Sequence, residues 1–271
     1  MIETILVATD GSEAASAAER CAIALASKLR ARLSGLTVVE DRDVNAPASG
    51  DLNIQGFPAS ELAAFHKARA EAIATRFGQR ASGEGLSAIC EVATGVACDR
   101  IVERGHSLGL TVAGRDGKGA RGALIGSTID AVVRKSATPT LVVPAGAPIS
   151  GPILLGFDGS PGSRITANLA VQLANGLGEA LHVFVDSKDK GRAVARFDEV
   201  RQLVGGLSVP VRENSSTLGR PDVKLVDTAR EIRAGIIAIG AFGRNRISEY
   251  FLGSNAMSVV RSSPVAVLLA R

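Results

Sequence analysis

Short apolar runs rich in Val, Ile and Leu alternate along the whole chain with longer segments in which apolar residues recur every three or four positions. The first pattern predicts buried strands and the second amphipathic helices. The first half reads as strand 2–8, helix 13–31, strand 33–39, a polar excursion over 41–58, helix 60–81, strand 87–93, helix 97–107, strand 109–113, a glycine loop over 114–126, helix 127–137 and strand 140–144. Helix 13–31 carries the clearest signals: Ser12 stands at the cap, Glu13 in the first turn, and Ala18, Cys21, Ala22, Leu25 and Leu29 make one apolar stripe. The second half reads as strand 152–157, helix 161–177, strand 180–185, helix 191–205, strand 207–213, helix 221–233, strand 235–240, loop 240–253, helix 254–262 and strand 264–270. Unbroken β-α alternation with strands apolar on both sides predicts an α/β fold, a parallel sheet covered by helices.

The two halves are copies of one unit. Ile5-Leu-Val-Ala-Thr-Asp-Gly-Ser12 returns as Ile153-Leu-Leu-Gly-Phe-Asp-Gly-Ser160, and Gly126-Ser127-Thr128 with Val132-Val133-Arg134 returns as Gly253-Ser254-Asn255 with Val259-Val260-Arg261. The offset is 148 residues at the first strand and 127 at the last helix. The shortfall of about 21 falls where the first copy has its polar excursion, which predicts a surface loop there. Between the copies, Ala145-Gly-Ala-Pro-Ile-Ser-Gly-Pro152 suits neither a helix nor a central strand. It divides the chain into domains 1–146 and 151–271.

Composition narrows the function. Of 271 residues 46% are hydrophobic and only 3% aromatic, with 30 glycines, so the cores are built from small aliphatic side chains. The net charge of +4 comes from 31 basic and 27 acidic residues spread without a basic block. With no Trp and a single Tyr, a stacking surface for nucleic acid is hard to assemble, and nucleic acid is not an expected partner. Cys21, Cys90 and Cys98 show neither disulfide nor zinc spacing. No apolar run is long enough for a membrane span, and Glu3 stands where a secretory leader needs positive charge. The expectation is a soluble protein of the reducing cytoplasm, with no membrane partner.

Two features in each copy point to a ligand. The first strand ends in Asp10-Gly-Ser or Asp158-Gly-Ser, where a doubly wound sheet places ligands, although the same tripeptide also makes an ordinary helix-capping turn. The fourth strand leads through Gly114-Arg115-Asp116-Gly117 to Gly126-Ser127-Thr128, and its counterpart through Gly240-Ala241-Phe242-Gly243 to Gly253-Ser254-Asn255. Glycines there let backbone approach a phosphate, and the following helix start offers N–H donors. Arg115, Lys118, Arg121, Arg244 and Arg246 stand in these loops, as phosphate partners or as solvated charges. Gly117-Lys-Gly-Ala-Arg-Gly122 matches a dinucleotide fingerprint but follows the fourth strand rather than the first, and is rejected. Gly105-His-Ser-Leu-Gly109 runs from helix to strand, the reverse of an esterase elbow. His66, His106 and His182 have no metal-ligand spacing, and no metal site is expected from the protein alone.

A strand ending in Asp-Gly-Ser, followed after the fourth strand by G-x-x-G-x(9)-G-[ST], Val-Val-Arg and a closing apolar strand, resembles the universal stress protein (UspA) family in its tandem, ATP-binding form. The resemblance implies two Rossmann-like (adenine nucleotide alpha hydrolase-like) domains, each a five-stranded parallel sheet flanked by helices. It implies intramolecular pairing of the closing strands, Leu141–Val143 against Val265–Leu269, and leaves a homodimer open. The implied ligand is ATP, with or without Mg2+. Ala8, Thr9, Asp10, Gly156, Phe157 and Asp158 would line the nucleotide; Val38 and Val183 would meet adenine through the backbone. Gly114, Arg115, Gly117, Gly126, Ser127, Thr128, Gly240, Gly243, Gly253, Ser254 and Asn255 would hold ribose and phosphates. The first copy departs from the pattern with eight residues between Gly117 and Gly126, and the second has Phe157 in place of Thr9. The implied function is a nucleotide-dependent stress regulator or sensor, a binding module rather than an enzyme. A slow Mg-dependent ATPase and a nucleotide-free dimerising interaction protein are the alternatives.

Overall fold

The computed structural model describes residues 2–40, 59–116, 126–205, 208, 210–217, 219–241 and 253–271. The elements of the first half are β1 (Thr4–Ala8), α1 (Glu13–Leu29), β2 (Arg32–Val39), α2 (Ala59–Gly83), β3 (Ala88–Thr94), α3 (Ala97–Gly105), β4 (Leu110–Gly114), α4 (Ser127–Lys135) and β5 (Thr140–Val143). Those of the second are β6 (Ile153–Gly156), α5 (Pro161–Leu177), β7 (Leu181–Asp186), α6 (Lys190–Leu203), β8 (Val211–Ser216), α7 (Pro221–Glu231), β9 (Ile236–Gly240), α8 (Ser254–Ser262) and β10 (Ala266–Ala270).

All ten strands form one sheet in the order β3-β2-β1-β4-β5-β10-β9-β6-β7-β8. Within each half every pair is parallel, as continuous apolar strands require. The halves meet through one antiparallel pair, with Val142 opposite Val267, Leu141 opposite Leu268 and Thr140 opposite Leu269. This pairing removes two sheet edges that would otherwise be exposed. It also turns the halves head to tail, so the carboxyl ends of their strands lie at opposite edges of the sheet.

The helices form two layers. Residues of α1, α2, α5 and α6 share one apolar cluster with one face of the strands, and residues of α3, α4, α7 and α8 share the other. Alternation along the buried strands distributes side chains between these clusters: Leu155 and Val183 face the first, Leu154 and Phe184 the second.

Residues 207 and 209 of the expected strand 207–213 lie outside the described residues. The observed β8 begins at Val211, which pairs with Leu181. Leu207, Val209 and Val211 alternate in sequence like a strand, but β8 is an edge strand whose position is set by its pairing with β7 rather than by apolar content. Val211 is itself partly exposed.

Candidate functional site

In each half the order of strands reverses between the first and the fourth, so the connections leaving the paired strands β1 and β4, and likewise β6 and β9, lead to helices on opposite faces, the arrangement that leaves a crevice at the carboxyl ends. Two loops meet there. The first is the Asp-Gly-Ser turn. Asp10 Oδ1 accepts the Ser12 N–H at 2.9 Å, and Ser12 Oγ accepts the Ala15 N–H at 3.1 Å to cap α1. Asp158 Oδ1 accepts the Ser160 N–H at 3.0 Å, and Ser160 Oγ the Ser163 N–H at 3.2 Å. Gly11 and Gly159 both take φ +76°, which a side chain resists. The carboxylates therefore hold the turn with one oxygen and stay half-buried at the mouth of the crevice.

The second loop leaves β4 or β9. Its base is closed by hydrogen bonds from Gly126 N–H to Arg115 O at 3.0 Å and from Gly253 N–H to Ala241 O at 2.9 Å. Gly126 and Gly253 adopt the same backbone, φ −58° and ψ 138°, and no side chain among the described residues caps α4 or α8. This contrasts with α1 and α5, whose starts are satisfied by serine. The N–H groups of Ser127 and Thr128, and of Ser254 and Asn255, thus stand at helix starts that no side chain of the described residues caps, at the positive end of the helix dipole. Gly114 and Gly240 shape the crevice rather than line it. A Cβ on Gly114 would lie 2.6 Å from the carbonyl carbon of Ala14, and one on Gly240 2.9 Å from Ser163 N. Their lack of a side chain lets the first turn of α1 or α5 press against the strand end.

The family model for the universal stress proteins matches residues 1–144 and again 150–271. The chain belongs to the universal stress protein family. A universal stress protein of Mycolicibacterium smegmatis is 27% identical over 290 residues, covering 98% of this chain and 96% of the relative. One from Mycobacterium tuberculosis is 28% identical, covering 69% and 70%. The crystal structure of a universal stress protein from Archaeoglobus fulgidus superposes with a TM-score of 0.79 at 20% identity, covering 100% and 99% of the two chains. That structure bears on the fold alone.

Several expected site residues of this universal stress protein have their side chains in the core or no side chain to offer the crevice. The Thr9 side chain is buried and its hydroxyl donates to Glu19 Oε1 at 2.5 Å, so it points into the core. Glu19 is fully buried on α1 and is held on its other oxygen by Arg80 of α2. At the matching positions in the second half stand Phe157 and Ala167, both buried among apolar neighbours, so Phe157 is a core residue as well. Ala8 is buried between β2 and β4. Gly156 ends β6, where a Cβ would meet Ile239 and Leu225. Val183 lies in the middle of β7, opposite Leu155, with its side chain in the core. The residue that matches Val38 is Asp186: Ala8 pairs with Leu36 and Gly156 with Phe184, and each lies two positions further along its strand. Gly117, Gly243, Lys118, Arg121, Arg244 and Arg246 lie outside the described residues.

Arg115 requires the largest correction. Its guanidinium turns away from the loop into the opposite half, where Nη1 donates to Ser263 O at 2.8 Å and Arg261 O at 3.3 Å. Nε meets Asp116 at 3.2 Å. Arg115 thus caps the carboxyl end of α8, the helix whose other end opens on the second crevice. Arg271 does the reciprocal work, donating to Arg134 O and Val133 O at the end of α4. Apolar periodicity carries no sign of either bond, because both cross between repeats.

The cysteines take no part. Burial pushes the Cys21 thiol up to about 12, and burial with the nearby Glu19 charge does the same for Cys90, leaving both protonated. Among the described residues there is no group of three potential metal ligands, and no helix is long and apolar enough to cross a membrane.

Proposed function

We propose that this universal stress protein is a cytoplasmic nucleotide-binding module that takes ATP and relays ligand state as a stress regulator or sensor. The observation that carries the reading is the duplicated, uncapped start of α4 and α8 beside an Asp-Gly-Ser turn at the switch of strand order. Phosphates would lie on the N–H groups of Ser127 and Thr128, or of Ser254 and Asn255, where the dipole of a nine-residue helix favours negative charge. Asp10 and Asp158 would meet the ribose, or a Mg2+ carried in on the phosphates.

The test has two parts. Acid extracts of freshly purified protein are expected to release adenine nucleotide, and stripped protein titrated with ATP in a calorimeter to give saturable heat. Gly126→Val with Gly253→Val should abolish both. The backbone at those glycines suits any residue, so the fold survives while a branched side chain crowds the N–H groups. A wild-type chain that carries no nucleotide and gives no heat overturns the reading. Following Mg-ATP for ADP release over hours separates a binder from a slow phosphoryl-transfer enzyme.

A further inference from the structure

Helix α2 is much longer than its counterpart in the second half. It has 25 residues, and α6 has 14. The carboxyl edge of the sheet meets α2 near its middle, because a Cβ on Gly11, in the turn after β1, would lie 3.0 Å from Ile73 Cδ1 and 3.1 Å from Arg76 Nη2. Phe77 and Ala81, further along, enter the first apolar cluster. The part of α2 before Ile73 therefore runs on past the sheet edge, for about 20 Å at 1.5 Å per residue. None of its described side chains before Ala70 is buried.

Helical spacing places Glu61, Phe65, Ala68 and Ala72 on one face of α2, turned away from the buried Ala70, Ile73 and Phe77. All four are exposed, Phe65 to 60%. Arg76 extends the stripe by one turn, and neither it nor Glu61 has an ion-pair partner among the described residues. Alanines let a second helix come close, and a single aromatic supplies the anchor that such a contact needs. The stripe is also complementary to itself. Laid antiparallel on a second copy, about a two-fold axis beside Ala68, it sets Phe65 over Ala72 of the second copy and Glu61 level with the second copy's Arg76, and each contact occurs twice. A parallel arrangement would set Glu61 against Glu61 and Arg76 against Arg76.

We propose that the outer face of α2, from Glu61 to Arg76, is the surface through which two copies of this chain pair, helix against antiparallel helix. The pairing stands beside the first crevice and does not depend on what that crevice binds. Sedimentation of the full-length protein over a concentration series should give a mass that rises from 27.8 kDa to twice that value. Phe65→Asp should hold the chain as a monomer. Glu61→Arg should weaken association about ten- to hundred-fold, because it faces one arginine with another, and adding Arg76→Glu should restore it. Each of these side chains is exposed, so the melting temperature of the dilute monomer should stay unchanged in all three variants. A wild-type chain that stays monomeric up to about 1 mM, or a dimer that survives Phe65→Asp, overturns the proposal. So does a double variant that associates no better than Glu61→Arg alone. A fall in the monomer's own melting temperature on Phe65→Asp would mean that the stripe is covered within one chain, and overturns it equally.

Discussion

Arg115→Met isolates the tie between the halves. The substitution keeps most of the length and apolar stem of the side chain but removes its bonds to Ser263 O at 2.8 Å and Arg261 O at 3.3 Å. The side chain is only 18% exposed, so solvent screens these bonds little. A hydrogen bond from a charged donor contributes about 1.5–3 kcal/mol net, and at 3.3 Å the second lies at the weak end. A cation at a helix carboxyl end adds about 0.3–1 kcal/mol, and Asp116 loses its partner. The expected loss is about 2–3 kcal/mol, or about 4–5 °C in melting temperature for a chain of this size. Guanidinium titration measures it as a lowered midpoint at constant slope. Arg134→Met is the control, because its bond to Asp130 at 2.9 Å joins neighbours on one half-exposed helix turn and should contribute about 1 kcal/mol or less. If Arg115→Met shifts the midpoint no more than the control, the cross-half cap does not hold the sheet together and the argument fails.

Two further outcomes are expected. Glu19→Ala strands the Thr9 hydroxyl and Arg80, and should cost about 2–4 kcal/mol, below the full price of a broken buried pair because Arg80 is 37% exposed. Adding Thr9→Phe imports the second half's filling, Phe157 beside Ala167, and should restore much of that loss in urea denaturation; a double variant no better than the single one would refute the equivalence. Burial lowers the His182 pKa, with Asn214 Oδ1 at 3.2 Å from Nδ1, so the folded state holds it neutral in a range where the unfolded chain takes up a proton. Stability should fall as pH drops below about 6.5, by at most about 1.4 kcal/mol per pH unit from this group, and His182→Asn should flatten that part of the curve; an imidazole NMR titration at or above 6.5 would contradict it.

Much of the fold was legible because the inner strands are apolar on both sides and helices such as α1 carry a stripe, patterns that follow from burial by two helical layers. The expected helix 161–177 coincides with α5, whose Ser160 cap and following Pro161 fix its start from sequence alone. The site was legible only in part, because a motif names positions and not directions. Thr9 stands beside Asp10 in sequence, yet in an extended strand neighbours point to opposite faces, and its hydroxyl goes to the core. Arg115 follows the first loop glycine, but its bonds reach a helix 146 residues away, which no local pattern encodes. Val183 lies three positions short of the residue equivalent to Val38, since the offset of 148 carries Val38 to Asp186.

That same offset shows where the copies have parted. It carries Thr9 to Phe157, Glu19 to Ala167 and Val38 to Asp186, while Asp10, Gly11 and Ser12 arrive on their own kind. The turn depends on a positive φ and on a side chain that accepts its neighbour's N–H, so few residues can replace its members. The wall around it depends only on volume and on whether each buried polar group finds a partner. Thr9, Glu19 and Arg80 meet that condition as a hydrogen-bonded set, and Phe157 with Ala167 meets it by having no polar atoms to satisfy. Asp186 departs from both solutions, its Oδ1 being buried with no donor among the described residues. A duplicated unit that keeps its bend and changes its wall meets the same backbone demand in both copies while the packing around each is free to differ.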